Sequence, residues 1–399
     1  MSDAAKPYAA PARGRSRNVA LAALRVGARL AYERMARPMA RDGADTPGSP
    51  DAITPEWLTA TVGKAAPGAA ASSVTVEPVS SGTQARHRLR ILWNEAGVAA
   101  GLPATIFTKS LPTFVTRMVA GFNGQGRVEG RFYMEARPLL DIEAPRCFHS
   151  AYDRDAFAAI HLLEDLVATK AATFCGHRTE VTRAMAEDMV DLLAALHARF
   201  RGLDATPDRF RWLAPYPVWF TIGAHKMRTE HYTAKAFDAA ADIIPARLMA
   251  RRAEVWPATM RAIAPHARSG QVLLHSDVHI GNWYYTAAGR MGLCDWQCPS
   301  RGHWARDVAY ALSAALLPED RRKWERDLLA RYIERSGAPE PFEDALALYR
   351  GQTLHALAMW TITLCHSRLL PAMQPEDMTR EMLRRIATAV DDLDALDAP

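Results

Sequence analysis

The hydrophobic pattern of the first half of the chain is typical of β-strands. Between residues 74 and 93 apolar residues alternate with polar ones on either side of a turn at residues 80–83. This period of two predicts a β-hairpin with one buried face. A short strand is predicted at residues 104–109, and two helical stretches follow it before Pro138. This part of the chain is therefore predicted to be β-rich, with an inserted helical segment.

The pattern after Asp165 is mainly helical. Long helices are predicted at residues 181–200, 229–263, 319–336 and 342–365. One interruption occurs, because residues 271–274 and 283–295 have the composition of short strands, with a turn at residues 287–289. We expect the loops of this small β insert to carry the chemistry.

The N-terminal 52 residues are rich in Ala, Pro, Gly and Arg, and only Arg17 to Ala36 shows helical spacing. The pattern predicts a basic amphipathic helix. Such a helix would dock on the protein's own body or on a partner. The alternative roles are contact with a membrane surface and organelle targeting. The predicted domains are an extension at residues 1–52, an N-terminal lobe at 53–166 and a C-terminal lobe at 167–399.

Composition excludes several classes of protein. The 399 residues, 49% hydrophobic and 23% charged, can bury a full core. Five scattered cysteines, no secretory signal and no apolar run of roughly 20 residues predict a cytoplasmic protein without a transmembrane segment. A net charge of +5 favours a neutral or anionic partner, and we expect no nucleic-acid partner.

The strongest chemical signal lies in residues 274–282, which fit the pattern H-x-D-x-x-x-x-N, with a second acid at Asp295 thirteen residues after Asn282. Phosphoryl transfer depends on positioning and on charge neutralisation. Asp277 is predicted to orient the attacking hydroxyl or accept its proton. Asn282 and Asp295 are predicted to supply oxygen ligands to magnesium on ATP.

Residues that could bind the nucleotide occur upstream in the expected order. Lys109 ends a predicted strand and is the only lysine between Lys64 and Lys170, so we expect it to bind the α- and β-phosphates. Glu129 follows on a helical stretch and would pair with it. The linker at residues 162–166, including Glu164 and Leu166, offers backbone groups for adenine.

Three segments together resemble the aminoglycoside-phosphotransferase and choline-kinase-like superfamily: the catalytic segment, the E-x-x-F-Y sequence at 129–133 and the helical sequence at 192–197. The resemblance covers about residues 54–370. Trp57, residues 76–78 and the Asp-Trp-Gln triplet at 295–297 are more similar to its ecdysteroid-kinase-like branch.

The resemblance implies an α+β, bilobal protein-kinase-like fold with a β-rich N-terminal lobe and a larger, mainly α-helical C-terminal lobe. It implies ATP and Mg²⁺ as cofactors, a hydroxyl acceptor, Asp277 as catalytic base and Asp295 as a metal ligand. It also implies that His275 and Asp307 brace the catalytic loop.

Two departures from protein kinases are present. The nucleotide loop, with Ser81, Gly82 and Thr83 as candidate phosphate contacts, has one glycine instead of a glycine-rich motif. A short polar loop of this kind is usual in the resembled family. Trp296-Gln297 replaces the Phe-Gly of protein kinases, which favours a constitutively formed site over one gated by phosphorylation.

A zinc site is an alternative interpretation of the same region. His275 and His279 lie four residues apart, Cys294 and Cys298 do so as well, and His303 follows. The hard oxygen donors interspersed among them favour magnesium.

Aromatic residues and net charge bear on the acceptor. Aromatic residues that either border the acceptor or pack in the core are Trp212, Tyr216, Trp219, Phe220 and Trp360. The basic net charge favours a neutral or amphipathic hydroxylated metabolite, for example a sterol- or lipid-like alcohol. An aminoglycoside-type antibiotic phosphotransferase and a non-catalytic pseudokinase are the alternatives.

Overall fold

The computed structural model describes residues 15–398 except 82–83, 207, 209, 269 and 368–371, without the side chains of 15–18 and 81. The chain divides into two compact units. The first unit contains the described residues up to Ala104, residues 108–127 and residues 149–162. The second unit contains residues 105–107, 128–148 and those from Leu163 onward. Residues 128–148, within the predicted N-terminal lobe, thus belong to the second unit, and the predicted domain boundaries stay a prediction.

The predicted hairpin is present as β1 (Ala71–Ser81) and β2 (Ala85–Trp93), which pair antiparallel with Val76 opposite Leu89. On β2 the alternation of apolar and polar residues matches their burial, because Leu89 and Ile91 are buried and Arg90 is exposed. The hairpin therefore presents one face to the core, as the period of two indicated.

The hairpin belongs to a five-stranded sheet with the order β1-β2-β3-β5-β4. The other strands are β3 (Thr105–Ser110), β4 (Cys147–Tyr152) and β5 (Ala159–Glu164). Only β3 was predicted. Every residue of β5 is buried, so its sequence is a continuous apolar run without the alternation of a half-buried strand.

Among the described residues, the α-helices before the segment that carries Glu129 are α1 (Arg15–Ala36), α2 (Pro55–Thr61), α3 (Glu95–Ala99) and α4 (Phe114–Asn123). The predicted N-terminal helix is confirmed as α1, and it packs within the first unit. Val26 is fully buried, and the buried Arg117 of α4 donates from Nη2 to Glu33 Oε2 over 2.7 Å. This packing corresponds to docking against the protein's own body.

The second helical stretch before Pro138 is α5 (Gln125–Arg131), which continues into a π-helical turn at Phe132–Ala136. Single π-helical turns are rare and occur frequently at functional sites. The E-x-x-F-Y sequence spans this junction, so Glu129 lies on α5 and Phe132 opens the wider turn.

The rest of the chain is mainly helical. Its helices are α6 (Leu166–Lys170), α7 (Arg183–Arg199), α8 (Tyr216–Met227), α9 (Thr229–Ala239), α10 (Ala246–Ala250), α11 (Arg252–Arg261), α12 (Ala305–Ala315), α13 (Pro318–Ser336), α14 (Phe342–Leu364) and α15 (Glu376–Asp392). The prediction of one long helix at 229–263 is wrong, because α9, α10 and α11 occupy that range. Pro245 lacks an amide hydrogen and disfavours helical geometry at Ile244, which separates α9 from α10.

A short strand that was not predicted, β6 (Thr173–Phe174), precedes the predicted β insert, which is present as β7 (Val272–Leu274), β8 (Trp283–Tyr285) and β9 (Met291–Leu293). A further strand that was not predicted, β10 (Ser300–Gly302), follows it. β8 and β9 form a hairpin, and Gly289 has a left-handed φ of 76° in its turn. β7 pairs antiparallel with β10. Every residue of α12 is buried, including Arg306 and Asp307.

A β-sheet in the N-terminal part and mainly helices in the C-terminal part confirm the predicted α+β class. In the part of the chain that the structure describes, no helix has the length and apolarity of a bilayer-spanning segment.

Candidate active site

Asp307 fixes the start of the loop between β7 and β8. Its carboxylate accepts hydrogen bonds from the backbone amides of His275 (2.6 Å) and Ser276 (3.0 Å). Ser276 has a φ of 68°, a conformation that is costly for a residue with a side chain. Arg306 Nη2 donates to the Ser276 carbonyl over 3.1 Å, so two residues of α12 hold this strained turn.

Asp307 keeps its charge although it is fully buried. His197 Nε2 lies 3.5 Å from Asp307 Oδ2, and both side chains are fully buried. Burial acts to raise the pKa of Asp307, but the neighbouring His197 and Arg306 outweigh it and hold that pKa below its usual value. Asp307 therefore stays ionised and remains an acceptor for the loop amides.

His275 links the catalytic loop to the segment that ends in Asp295. Its Nδ1 accepts from the Asp277 backbone amide over 3.2 Å, so the proton is assigned to Nε2, which donates to the Cys294 carbonyl over 3.0 Å. Burial lowers the pKa of His275, and the ring is neutral in this role. These hydrogen bonds join the catalytic loop to the Asp295 segment, and the bracing role that the resemblance implied for His275 and Asp307 stays a prediction.

Asp277 is the reactive candidate of this cluster, because it is the only one of the three predicted catalytic residues that reaches solvent. Its side chain is 27% exposed, whereas His275 and Asp307 are fully buried. Tyr310 Oη donates to Asp277 Oδ1 over 3.3 Å.

Asn282 and Asp295 lie at the same open end of the β8–β9 hairpin. Trp283 pairs with Leu293, and the Cys294 amide donates to the Asn282 carbonyl over 2.9 Å, which extends the ladder towards Asp295. The side-chain Nδ2 of Asn282 donates to the Asp277 carbonyl over 2.7 Å, which leaves its Oδ1 as the remaining acceptor. A carboxylate and an amide oxygen at one hairpin end fit Mg²⁺, which commonly takes one or two protein oxygens and completes its shell with phosphates and water.

The helix that carries Glu129 packs on the residue that follows Asp295. Phe132 stacks on Trp296 with ring centroids 3.8 Å apart, and the His275 and Trp296 rings meet at 65° with centroids 4.4 Å apart. Glu129 itself is fully buried. The α5 helix, the Asp295 segment and the catalytic loop thus share one aromatic stack inside the second unit.

The predicted nucleotide residues are only partly described. Lys109 lies on β3 in the first unit with 4% of its surface exposed, whereas Glu129 belongs to the second unit. Their pairing stays a prediction. Ser81 ends β1, and its side chain, together with Gly82 and Thr83, lies outside the described residues.

The linker residues are held by the second unit's own groups. Glu164 accepts from the Thr169 hydroxyl over 2.9 Å and from the Arg146 amide over 3.2 Å, and Leu166 is buried as the first residue of α6. Their side chains are thus engaged in structure. The proposed contact of this linker with adenine stays a prediction.

The residues of the alternative zinc site are arranged for other roles. Both ring nitrogens of His275 bind backbone groups, and His303 Nε2 lies 3.3 Å from Glu340 Oε1. Within the described ranges, no three His, Cys, Asp or Glu side chains form a group suited to a metal ion.

The aromatic candidates for the acceptor surface divide into two groups. Tyr216, Phe220 and Trp360 are at most 2% exposed, so they pack in the core and border no open surface. Trp212 and Trp219 are half-buried. Trp212 lines a cavity of about 300 Å³ together with residues 213–215 and two arginines, Arg211 and Arg301.

Tyr310 and Arg306 were not predicted as site residues. Tyr310 lies one turn after Arg306 on α12, and this spacing places both on one helix face beside Asp307. The Arg306 guanidinium lies over the Tyr310 ring at 4.7 Å. A helix prediction for residues 306–310 would have placed Arg306 and Tyr310 beside Asp307. It would not have placed them beside Asp277.

Comparison with known proteins identifies the family. Among solved structures, the chain is similar to an ethanolamine kinase of Plasmodium vivax (12% identity, TM-score 0.46, covering 81% of this chain and 83% of that one). It is also similar to the choline kinase LicA of Streptococcus pneumoniae (13%, 0.45, 80% and 94%) and to the macrolide 2'-phosphotransferase MphH of Brachybacterium faecium (16%, 0.43, 73% and 84%). No curated protein matches the chain significantly. The sequence profile described as "Phosphotransferase enzyme family" matches residues 123–349, more than half of the chain, and the protein therefore belongs to this family of phosphotransferases.

Proposed function

We propose that the protein is a small-molecule kinase that transfers the γ-phosphoryl group of ATP to a hydroxyl group. One observation carries this proposal: a partly exposed Asp277 lies on a loop that the fully buried Asp307 holds by two amide hydrogen bonds. Asn282 binds the same loop and shares a hairpin end with Asp295. This arrangement would supply a base and two metal ligands at defined positions, and phosphoryl transfer depends on such positioning.

In the proposed reaction the acceptor oxygen attacks the γ-phosphorus in line. The new oxygen–phosphorus bond forms as the bond between the γ-phosphorus and the bridging oxygen breaks, and ADP leaves with that electron pair. Asp277 orients the acceptor hydroxyl and accepts its proton. The fixed loop keeps the carboxylate at one position throughout this step.

Asn282 Oδ1 and the Asp295 carboxylate would hold Mg²⁺, which neutralises charge on the phosphate oxygens. The Asn282 amide nitrogen is already fixed on the Asp277 carbonyl, so the amide oxygen has a defined direction. Asp295 has a φ of 65°, and such uncommon backbone geometry clusters at functional sites.

The nucleotide roles follow the order of the sequence. Lys109 would bind the α- and β-phosphates, and Glu129 would hold Lys109. Ser81, Gly82 and Thr83 would contact phosphate, and the backbone at Glu164 to Leu166 would bind adenine. The burial of both side chains supports these roles. Lys109 is 4% exposed and Glu129 is fully buried, which is rare for charged residues without a partner or a function.

For the acceptor we propose a neutral or amphipathic hydroxylated metabolite. The cavity beside Trp212 is lined by Arg211 and Arg301, and no Asp or Glu is among the described residues that line it. Arg301 lies on β10, which pairs with the strand that leads into the catalytic loop. Arg211 is paired with Asp208 over 2.7 Å, so Arg301 and the net charge of +5 are the charges that disfavour a polycationic aminoglycoside here.

The proposal is tested by magnesium-dependent ATP consumption across a panel of sterols, lipid-like alcohols, polyols, amino alcohols and aminoglycosides. Turnover stimulated by a neutral alcohol supports the proposed acceptor class. Stimulation by a cationic sugar alone would contradict that class while keeping the kinase. Nucleotide binding without turnover for any acceptor would favour a pseudokinase.

A further inference from the structure

Two hydrogen bonds connect the hydrophobic core to the proposed base. Trp360 Nε1 on α14 donates to Tyr310 Oη over 2.9 Å, and Tyr310 Oη donates to Asp277 Oδ1 over 3.3 Å. Tyr310 and Trp360 are 1% and 2% exposed. The chain of bonds thus runs from two buried aromatic side chains to the one carboxylate of the loop that reaches solvent.

The direction of this chain follows from the chemistry of its members. An indole N–H only donates, so Tyr310 Oη must accept from Trp360. The single proton of the hydroxyl is then directed to Asp277. Burial, followed by the nearby Asp277 carboxylate, raises the pKa of Tyr310 well above its usual value, and the hydroxyl therefore keeps its proton.

The packing of the Tyr310 ring leaves little freedom for the hydroxyl. The Arg306 guanidinium covers one face of the ring, and Arg306 is itself fixed by its bonds to the Ser276 carbonyl and the Tyr216 hydroxyl. A buried ring between fixed neighbours can hold a hydrogen-bond donor at one place with little entropic cost.

The two oxygens of Asp277 consequently have different surroundings. Oδ1 accepts from Tyr310 and lies 3.9 Å from His279 Nε2. His279 Nδ1 accepts from the Gly281 amide, so Nε2 carries the ring proton and faces the same oxygen. Among the described residues, none donates a hydrogen bond to Oδ2.

We propose that Tyr310, oriented by Trp360, is a positioning residue of the kinase reaction that holds Asp277 Oδ1, so that Oδ2 receives the acceptor hydroxyl. This inference rests on the proposed kinase function. Hydrogen bonds of catalytic groups are often long before substrate binds, and the 3.3 Å bond is expected to shorten in the acceptor complex.

The test is a double-mutant cycle of Tyr310→Phe and Trp360→Phe. For each variant, kcat is calculated per nucleotide-binding site, so that misfolded protein is not counted. Both changes keep an aromatic ring and remove one donor. Tyr310→Phe should lower kcat by ~10- to 100-fold, because a misplaced catalytic group costs rates of this order, and should leave the KM for Mg-ATP within about 2-fold. Trp360→Phe should have a smaller effect of the same kind. The double variant should be no slower than Tyr310→Phe, since Trp360 acts through the missing hydroxyl.

Tyr349→Phe is the matched control, because it also removes the hydroxyl of a fully buried tyrosine. Tyr349 lies on α14, beside Glu325 and not beside Asp277. It should leave kcat unchanged. If Tyr310→Phe keeps the wild-type kcat, Tyr310 has only a packing role and the inference is wrong. If the two effects on kcat simply add, Trp360 does not act through the Tyr310 hydroxyl, which also contradicts the inference. A wild-type protein that consumes no ATP with any acceptor would instead contradict the proposed function, and the inference would fall with it.

Discussion

Trp296 stacks face to face on Phe132, with ring centroids 3.8 Å apart and ring planes within 5° of parallel. Both side chains are fully buried. Trp296 follows Asp295 directly, and Phe132 lies one helical turn after Glu129. The stack therefore fixes the position of a proposed metal ligand relative to the helix that carries the proposed partner of Lys109.

Phe132→Ala is expected to destabilise the protein by ~3–5 kcal/mol, because it leaves a cavity under the Trp296 ring. Thermal unfolding followed by circular dichroism checks this. Phe174→Ala is the control, since Phe174 is 49% exposed on β6, and its loss should change the unfolding temperature little. Equal effects of the two changes would show that the stack is not a special contributor to stability.

The ion pair between Glu33 and Arg117 is expected to hold α1 in place. Arg117 is completely buried, so Glu33→Ala leaves an uncompensated charge and should cost ~3–5 kcal/mol of stability. The double variant Glu33→Ala/Arg117→Met removes the buried charge as well and should recover much of the loss. Chemical denaturation of the single and double variants measures this difference. A double variant as unstable as the single one would contradict the assigned cause.

Buried histidines predict a loss of stability in acid. Burial lowers the pKa of His355 from 6.5 to about 3, and it also lowers the pKa of His266 and His197. Between these values the unfolded chain binds a proton that the folded chain does not, so stability falls as the pH drops from 6.5 towards 3.

His355→Gln should reduce the slope of unfolding free energy against pH in that range by up to ~1.4 kcal/mol per pH unit. Urea unfolding between pH 7 and pH 4 measures the slope. Thr361→Val is the control, because it removes a buried polar group of the same helix that does not titrate. A slope equal to that of the wild type in His355→Gln would contradict the assignment of this proton.

Asn282→Ala should raise the Mg²⁺ concentration for half-maximal activity by at least ~10-fold, because it removes an oxygen ligand and the hydrogen bond to the Asp277 carbonyl. Titration of ATP consumption with magnesium checks this. Asn123→Ala, at an exposed position on α4, is the control and should leave the titration unchanged. An unchanged magnesium requirement in Asn282→Ala would remove Asn282 from the metal site.

The sequence predicts what depends on local spacing. The β1–β2 hairpin, the β8–β9 hairpin and the positions of Asp277, Asn282 and Asp295 follow from short patterns, and the structure brings the three residues to one loop and one hairpin end. The helix breaks around Pro245 and the strands β4 and β5 were not predicted. In β5, burial on both faces removes the alternation on which strand prediction depends.

Contacts between distant segments were beyond prediction. Tyr310 and Trp360 lie 33 and 83 residues after Asp277, and no local pattern relates them. The aromatic residues proposed for the acceptor illustrate the same difficulty. Aromatic side chains are equally compatible with a core and with a binding surface, and three of these five are buried in the core.

The most direct test of the central claim is acceptor-stimulated, magnesium-dependent ATP consumption by the wild-type protein and by Asp277→Asn. The kinase account predicts turnover in the wild type that falls by ~10²- to 10⁴-fold in Asp277→Asn, while nucleotide binding is retained, because the variant lacks only the general base. Near-normal turnover in Asp277→Asn would contradict the account.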